Sequence, residues 1–143
     1  MRALREAYAA AHYRVLLDGG CAIVRIGQPV PAPVQALLDA HGATRAAFLS
    51  ACNPRSTPLA QARNARRQRT LLAALARLGT ACVPGVGDDP QQRWPPEHSV
   101  LAIGLARDRA CALAACFGQY AWVELAAGAP ARLVFSAHWP ESL

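Results

Sequence analysis

An apolar run over residues 46–52 stops at Asn53-Pro54, and after a short turn a long helical pattern begins. This junction constrains the fold more than any other stretch. The run is apolar on both faces, as a strand inside a covered sheet must be. Proline has no N–H to give to a ladder, so the strand ends at Asn53-Pro54. Thr57-Pro58 then reads as a helix start, with Thr57 as N-cap and Pro58 at the first helical position. The pattern continues to Leu78, and Gly79 is placed to terminate it.

Other elements follow from periodicity and turn residues. A helix is expected over 1–11, then strands over 13–17 and 21–26 joined by Asp18-Gly19-Gly20 as a hairpin. Pro33 opens a helix that ends near His41-Gly42. A short strand over 80–83 leads into a long glycine- and proline-rich loop over 84–96, a length that usually marks function or mobility. Strands follow over 99–103, 119–125 and 132–136, with a helix over 108–117 closed by Gly118, and residues 138–143 read as a tail. With 143 residues, 53% of them apolar, the chain has enough material for a core of its own. The expectation is an α+β (mixed α/β) single globular domain over 1–143. It has one mixed sheet of about six to seven strands covered by about three to four helices, parallel across helical crossovers and antiparallel at hairpins.

Charge and cysteine usage narrow the functional classes. The fifteen basic residues are all arginine and give a net charge of +6. Arginine suits anionic partners, but these are scattered from Arg2 to Arg132, which fits a G- and C-rich codon bias better than a binding patch. The five cysteines form no Cys-x-x-Cys pair and sit mostly in apolar runs. That argues for a reducing compartment and against a disulfide scaffold or zinc site. No apolar signal core is present at the N-terminus, and the longest uncharged run, 110–123, is too short to span a bilayer. A cytoplasmic protein with no membrane partner is expected, and the sequence is silent on oligomeric state. Gly85-Val86-Gly87 lacks a third glycine and is followed by Asp88-Asp89, which repel phosphate, so no nucleotide fingerprint is read there. Asp88, Asp89 and Glu97 are too few for a metal site, His12, His41 and His138 are isolated, and no cofactor is implied.

The long helix carries the candidate site. On a wheel, Leu71, Leu75 and Leu78 form one stripe, and stepping back along it lands on Asn64 and Gln68, with Arg67 at the border. Arg63, Arg66, Arg69 and Arg77 fall on the other side. Inward polar groups need partners, because an unpaired one costs roughly 1–3 kcal/mol. The groups available are Asn53, Glu97 and Gln119, giving a candidate cluster of Asn53, Asn64, Arg67, Gln68, Glu97 and Gln119. A purely structural alternative has Asn64 and Gln68 tying down backbone of the 84–96 loop while Arg67 pairs with Glu97 to fix it.

Several separated motifs resemble one family. Asn53-Pro54, Asn64 with arginine shortly after it, Gly85-x-Gly87, Trp94-Pro95-x-Glu97-x-Ser99 and Phe117-Gly118-Gln119-x-Ala121 occur in order. Together with Tyr8 and Tyr13, they are similar to a bacterial domain-of-unknown-function family, the one numbered three-two-nine-three. The resemblance covers nearly the whole chain and implies that Asn53, Asn64, Arg67, Glu97 and Gln119 belong together. It brings no activity. Cys52 departs from it, standing where the family commonly has an aromatic residue, which implies a looser wall there.

Three functions are compatible with these residues. The first is a binding or regulatory module whose Asn/Arg/Glu/Gln pocket takes a small ligand or a protein partner's peptide end, with Arg67 gripping an anionic group. The second is an enzyme using Glu97 as acid or base and Arg67 as anion stabiliser. No nucleophile or His–carboxylate pair supports it, but a raised Glu97 pKa beside an open pocket would favour it. The third is nucleic-acid binding by Arg63, Arg66, Arg69 and Arg77, a stripe without aromatic interleaving and so the weakest reading.

Overall fold

A computed structural model describes residues 1–140. Helix α1 (Arg2–Ala10) precedes the hairpin of β1 (His12–Leu17) and β2 (Gly20–Val24), and α2 (Ala32–Ala40) leads to β3 (Arg45–Leu49). Then come α3 (Gln61–Arg77), β4 (Ala81–Asp88), β5 (Glu97–Ile103), α4 (Arg107–Cys116), β6 (Ala121–Ala126) and β7 (Arg132–Phe135). The described residues thus build one seven-stranded sheet in the order β2-β1-β4-β5-β3-β6-β7, with four α-helices packed on it. The α+β class with a single sheet holds. Among the described residues no helix is long and apolar enough to cross a membrane.

The expected parallel pairing does not occur. Every ladder between neighbouring strands is antiparallel. The helical crossovers do join strands that run the same way, but each steps over one strand. β3-α3-β4 passes over β5, and β5-α4-β6 passes over β3. This is the split β-α-β-β-α-β arrangement called ferredoxin-like, widened by the β1-β2 hairpin on one side and β7 on the other. The fold itself carries no activity.

Alternation explains why the run at 46–49 is apolar throughout. Ala47 and Leu49 point to one face, where Leu71 and Leu75 of α3 and Ala110 and Ala114 of α4 pack with Val100, Ala102 and Trp122. Ala46 and Phe48 point to the other, with Val34 and Leu38 of α2, Val15, Leu101 and Val123. The α1 helix is tied to this second face by Tyr13, whose hydroxyl donates to the Tyr8 carbonyl at 2.6 Å.

The larger boundary differences each have a local reason. Strand β3 ends at Leu49, not at Asn53-Pro54, because the backbone of residues 51–53 bonds to side chains rather than to a neighbouring strand, so Pro54 is not what stops the ladder. The α3 helix begins at Gln61, not Pro58. The Leu59 N–H that a Thr57 cap would have started is taken instead by Asn53 Oδ1 at 2.9 Å, which keeps this stretch out of the helix. Strand β4 runs through Pro84 to Asp88, so the loop is shorter than 84–96. Pro84 stands just outside the β1 ladder, which covers His12–Val15 against Gly85–Asp88, and so its missing N–H breaks no pairing with β1. The tail is no tail through 140. Trp139 is 2% exposed and packs against Tyr8, Tyr120 and Phe135. Residues 141–143 of the expected tail lie outside the described residues.

The two glycines of β4 make room rather than bind phosphate. Val15, Gly85 and Ser99 form one cross-strand row, and Tyr13, Gly87 and Glu97 the next. A Cβ on Gly85 would stand 2.7 Å from Phe48 Cε2 and 2.9 Å from the Arg14 carbonyl. On Gly87 it would meet the Ser99 hydroxyl at 3.7 Å, an ordinary contact. Gly85→Ala is therefore expected to lose about 1–3 kcal/mol by overpacking, while Gly87→Ala stays near wild type. Paired urea denaturation curves check the contrast, and equal stabilities would mean that Phe48 moves aside freely.

Candidate functional site

Strand β3 leaves the sheet after Leu49, and the next backbone polar groups must find partners elsewhere. Side chains supply them. Ala51 N–H donates to Gln68 Oε1 at 3.2 Å, and Ala51 O accepts from Arg67 Nε at 2.7 Å. Cys52 N–H donates to Ser50 Oγ at 3.1 Å, and Cys52 O accepts from Gln119 Nε2 at 3.0 Å. Asn53 N–H donates to Asn64 Oδ1 at 2.9 Å. The inward polar positions at the start of α3 thus stand in for a strand neighbour along residues 51–53.

Asn53 is the junction between this turn and the sheet. Its Oδ1 also accepts from Asn64 Nδ2 at 2.7 Å, and its Nδ2 donates to Glu97 Oε1 at 2.8 Å. Asn53 has a positive φ of 49°, a conformation asparagine adopts more readily than most residues. Arg55 and Ser56 follow with φ of 52° and 55°, where a side chain is strained by about 1–3 kcal/mol. The turn is clamped from outside, since Arg55 N–H donates to the Gly118 carbonyl at 2.8 Å. Gly118 has φ of 69°, and a Cβ there would stand 3.0 Å from that of Pro54. The Arg55 side chain is exposed, so Arg55→Gly is expected to relieve strain and raise stability by about 0.5–1 kcal/mol. A melting-temperature comparison checks it, and a decrease would mean the side chain holds the turn.

The six sequence-derived residues therefore converge, but not as one pocket. Asn53, Asn64, Glu97 and Gln119 line a cavity of about 720 Å³. Arg67 and Gln68 do not line it. Arg67 is bonded to the carbonyls of Ala51 and Phe117 rather than to Glu97. That corrects both the Arg67–Glu97 pairing and the anchoring of the 84–96 loop by Asn64 and Gln68, whose bonds go to residues 51–53 and 59. Its Nε and Nη2 are thereby committed to carbonyls. Arg63, Arg66, Arg69 and Arg77 are exposed on the outer side of α3.

Sequence reasoning missed most of the cavity wall. Tyr8, Tyr13, Phe48, Trp94 and Tyr120 line it, and Cys52 belongs to it. Tyr13 and Phe48 meet edge to face at 5.5 Å over the hollow left by the glycines. Sequence spacing carries no sign of it, because Tyr13 and Glu97 flank Gly87 in one cross-strand row that only the strand register reveals. Trp94 lies under the Arg93 guanidinium at 5.3 Å and also borders the cavity.

Electrostatics single out Glu97. Burial pushes its carboxyl above the usual range, and the Asn53 hydrogen bond offsets only part of this. Burial also raises the Tyr8 and Tyr13 hydroxyls, so both stay protonated. Asp88 is paired with Arg14 at 3.3 Å. Asp89 is closed off at 1% side-chain exposure and paired with Arg93 at 2.8 Å. The Arg93 hydrogen bond outweighs desolvation and holds the Asp89 carboxyl down to about 2. Its contribution to stability is present above the ordinary aspartate value and fades as pH falls through about 2. Proteolytic nicking within 89–96 is therefore expected to rise on acidification, and Asp89→Asn to show it already at neutral pH. Among the described residues no group of three or more His, Cys, Asp or Glu is placed to hold a metal ion.

Residues 49–122 match the family model described as a protein of unknown function, DUF3293. The chain belongs to this family. The match begins at the last residue of β3 and ends in β6. DUF3293 as matched here thus contains the 51–56 turn, all of α3, the glycine pair, Glu97 and Gln119, whereas Tyr8 and Tyr13 lie outside it. No curated protein and no solved structure matches the chain.

Proposed function

We propose that this protein is a small-ligand binding or regulatory module whose site is the cavity between α1, the 51–56 turn and the second face of the sheet. The observation that carries the reading is a carboxylate only half satisfied within an aromatic-walled hollow. Glu97 Oε1 accepts from Asn53, and among the described residues no side chain donates to Oε2. The cavity volume of about 720 Å³ falls within the roughly 300–1,000 Å³ of small-molecule sites. Asn53, Asn64, Arg67, Gln68 and Gln119 are the frame that fixes the turn, and Glu97 is the group left to meet a ligand.

A specific observation also favours the enzyme reading. A half-buried carboxylic acid with a raised pKa beside an open cavity is suited to proton transfer. In that case Glu97 works without Arg67, which does not line the cavity. Nucleic-acid binding stands apart from both, because the outer arginines of α3 do not line the cavity.

A thermal-shift ligand screen tests the proposal on wild type, Glu97→Gln and Gly87→Val. The last fills the hollow from a strand position that has room for a Cβ. Binding reading: hits that stabilise wild type lose their effect in Gly87→Val, and no hit is chemically altered on incubation. Turnover of a hit by wild type but not by Glu97→Gln would make the protein an enzyme. Hits that stabilise all three equally would place the ligand elsewhere and overturn the proposal.

A further inference from the structure

We infer that the ligand of this cavity is an organic cation, a protonated amine, amidine or quaternary ammonium whose charge pairs with Glu97. The inference rests on the reading that the cavity binds a small ligand.

It starts from a contrast of sign. The chain carries fifteen basic residues and a net charge of +6. Yet among the described residues no arginine lines the cavity, while two carboxylates, Asp88 and Glu97, do. Asp88 is already matched by Arg14, with Nη2 at 3.3 Å. Glu97 has no cation within ion-pairing distance among the described residues, and its side chain accepts from the neutral amide of Asn53. The cavity therefore keeps one negative charge uncompensated inside a strongly positive protein. Buried charge is retained at a cost unless something pairs with it.

The walls fit the same class of ligand. Tyr8, Tyr13 and Tyr120 line the hollow, and aromatic faces attract cations through the ring quadrupole; the Trp94 ring on its border already carries such a cation, the Arg93 guanidinium. An anion meets the opposite arrangement. The half-buried arginine at the base of the turn, Arg67, turns to the carbonyls of Ala51 and Phe117. A neutral ligand would find apolar surface but leave the Glu97 charge unmatched. The glycine at position 87 stands between Tyr13 and Glu97 in their cross-strand row, so the approach to the carboxylate is left open by the sequence itself.

The probes are tryptamine, phenethylamine, agmatine and choline, each beside an uncharged and a carboxylate counterpart of the same frame. Binding is read by calorimetry and by tryptophan fluorescence, since Trp94 and Trp122 line the cavity. Amines are expected to bind wild type about tenfold or more tightly than their counterparts. That preference should collapse in Glu97→Gln, and all binding should be lost in Gly87→Val. Uncharged or anionic members binding as well as the amines, and still blocked by Gly87→Val, would overturn the cation inference and leave the cavity reading standing. Binding unaffected by Gly87→Val, or no binding by any member, would overturn both.

Discussion

Arg67→Ala is expected to destabilise the protein by about 2–4 kcal/mol without touching a ligand-contacting group. Hydrogen bonds to a charged partner contribute about 1.5–3 kcal/mol each, and Arg67 donates to two carbonyls, Ala51 O at 2.7 Å and Phe117 O. Those carbonyls belong to separate connections, the exit of β3 and the end of α4, so the guanidinium staples the two crossovers of the split unit together. Its stacking near the Phe117 ring, 5.9 Å from the centroid, adds packing that alanine also removes. For a domain of this size the loss corresponds to a fall in Tm of roughly 10 °C. Arg67→Lys should recover only part, because a single ammonium cannot reproduce a planar fork on two divergent acceptors. Were Arg67→Ala as stable as wild type while ligand binding vanished, Arg67 would be a ligand group after all, and the assignment of a frame separate from a site would fail.

The inward polarity of α3 was legible from residue spacing alone, and its physical reason was half right. Asn64, Arg67 and Gln68 do meet Asn53 and Gln119 around the strand exit, as unsatisfied buried amides require. What the helix wheel lacked was the direction of each side chain once Asn53 adopts a positive φ. That turn draws Arg67 and Gln68 onto Ala51 and leaves Glu97 to Asn53 alone. The strand order was hidden for a different reason. A helical crossover joins strands of like direction whether or not a third strand slips between them, and residue periodicity is blind to that insertion. The glycine pair was misread because glycine and proline punctuate loops in most contexts. Here Gly85 and Gly87 are in a strand because Phe48 and the cavity occupy the space their side chains would fill.

Glu97→Gln is expected to raise stability at neutral and higher pH while removing the preference for cationic ligands. The sign follows from linkage. Burial, only partly offset by the Asn53 bond, puts the folded-state pKa of Glu97 above the ordinary value of 4.5. Between the two values the native state holds the proton more tightly than the unfolded chain, so stability falls as pH rises through that window. Above the window the full cost of the half-buried carboxylate is present, and glutamine avoids it while its amide oxygen can still accept from Asn53. The gain is expected at about 0.5–2 kcal/mol, the size common for single stabilising substitutions. It should vanish below the ordinary glutamate range, where wild type is protonated too. The groups facing Glu97 do not blur the comparison. Burial pushes up the Tyr8 and Tyr13 hydroxyls and the Cys52 thiol, and Asp88 is tied to Arg14. Repeating the curves in a His98→Asn background takes the neighbouring imidazole out of the difference. A variant less stable than wild type at every pH would mean that the carboxylate is a structural partner of the turn, holding Asn53 in its left-handed conformation. Glu97 would then have no charge to spare for a ligand. A gain confined to pH above the window, together with lost amine binding, identifies a group kept against the interest of the fold, which is what a binding carboxylate in a basic protein has to be.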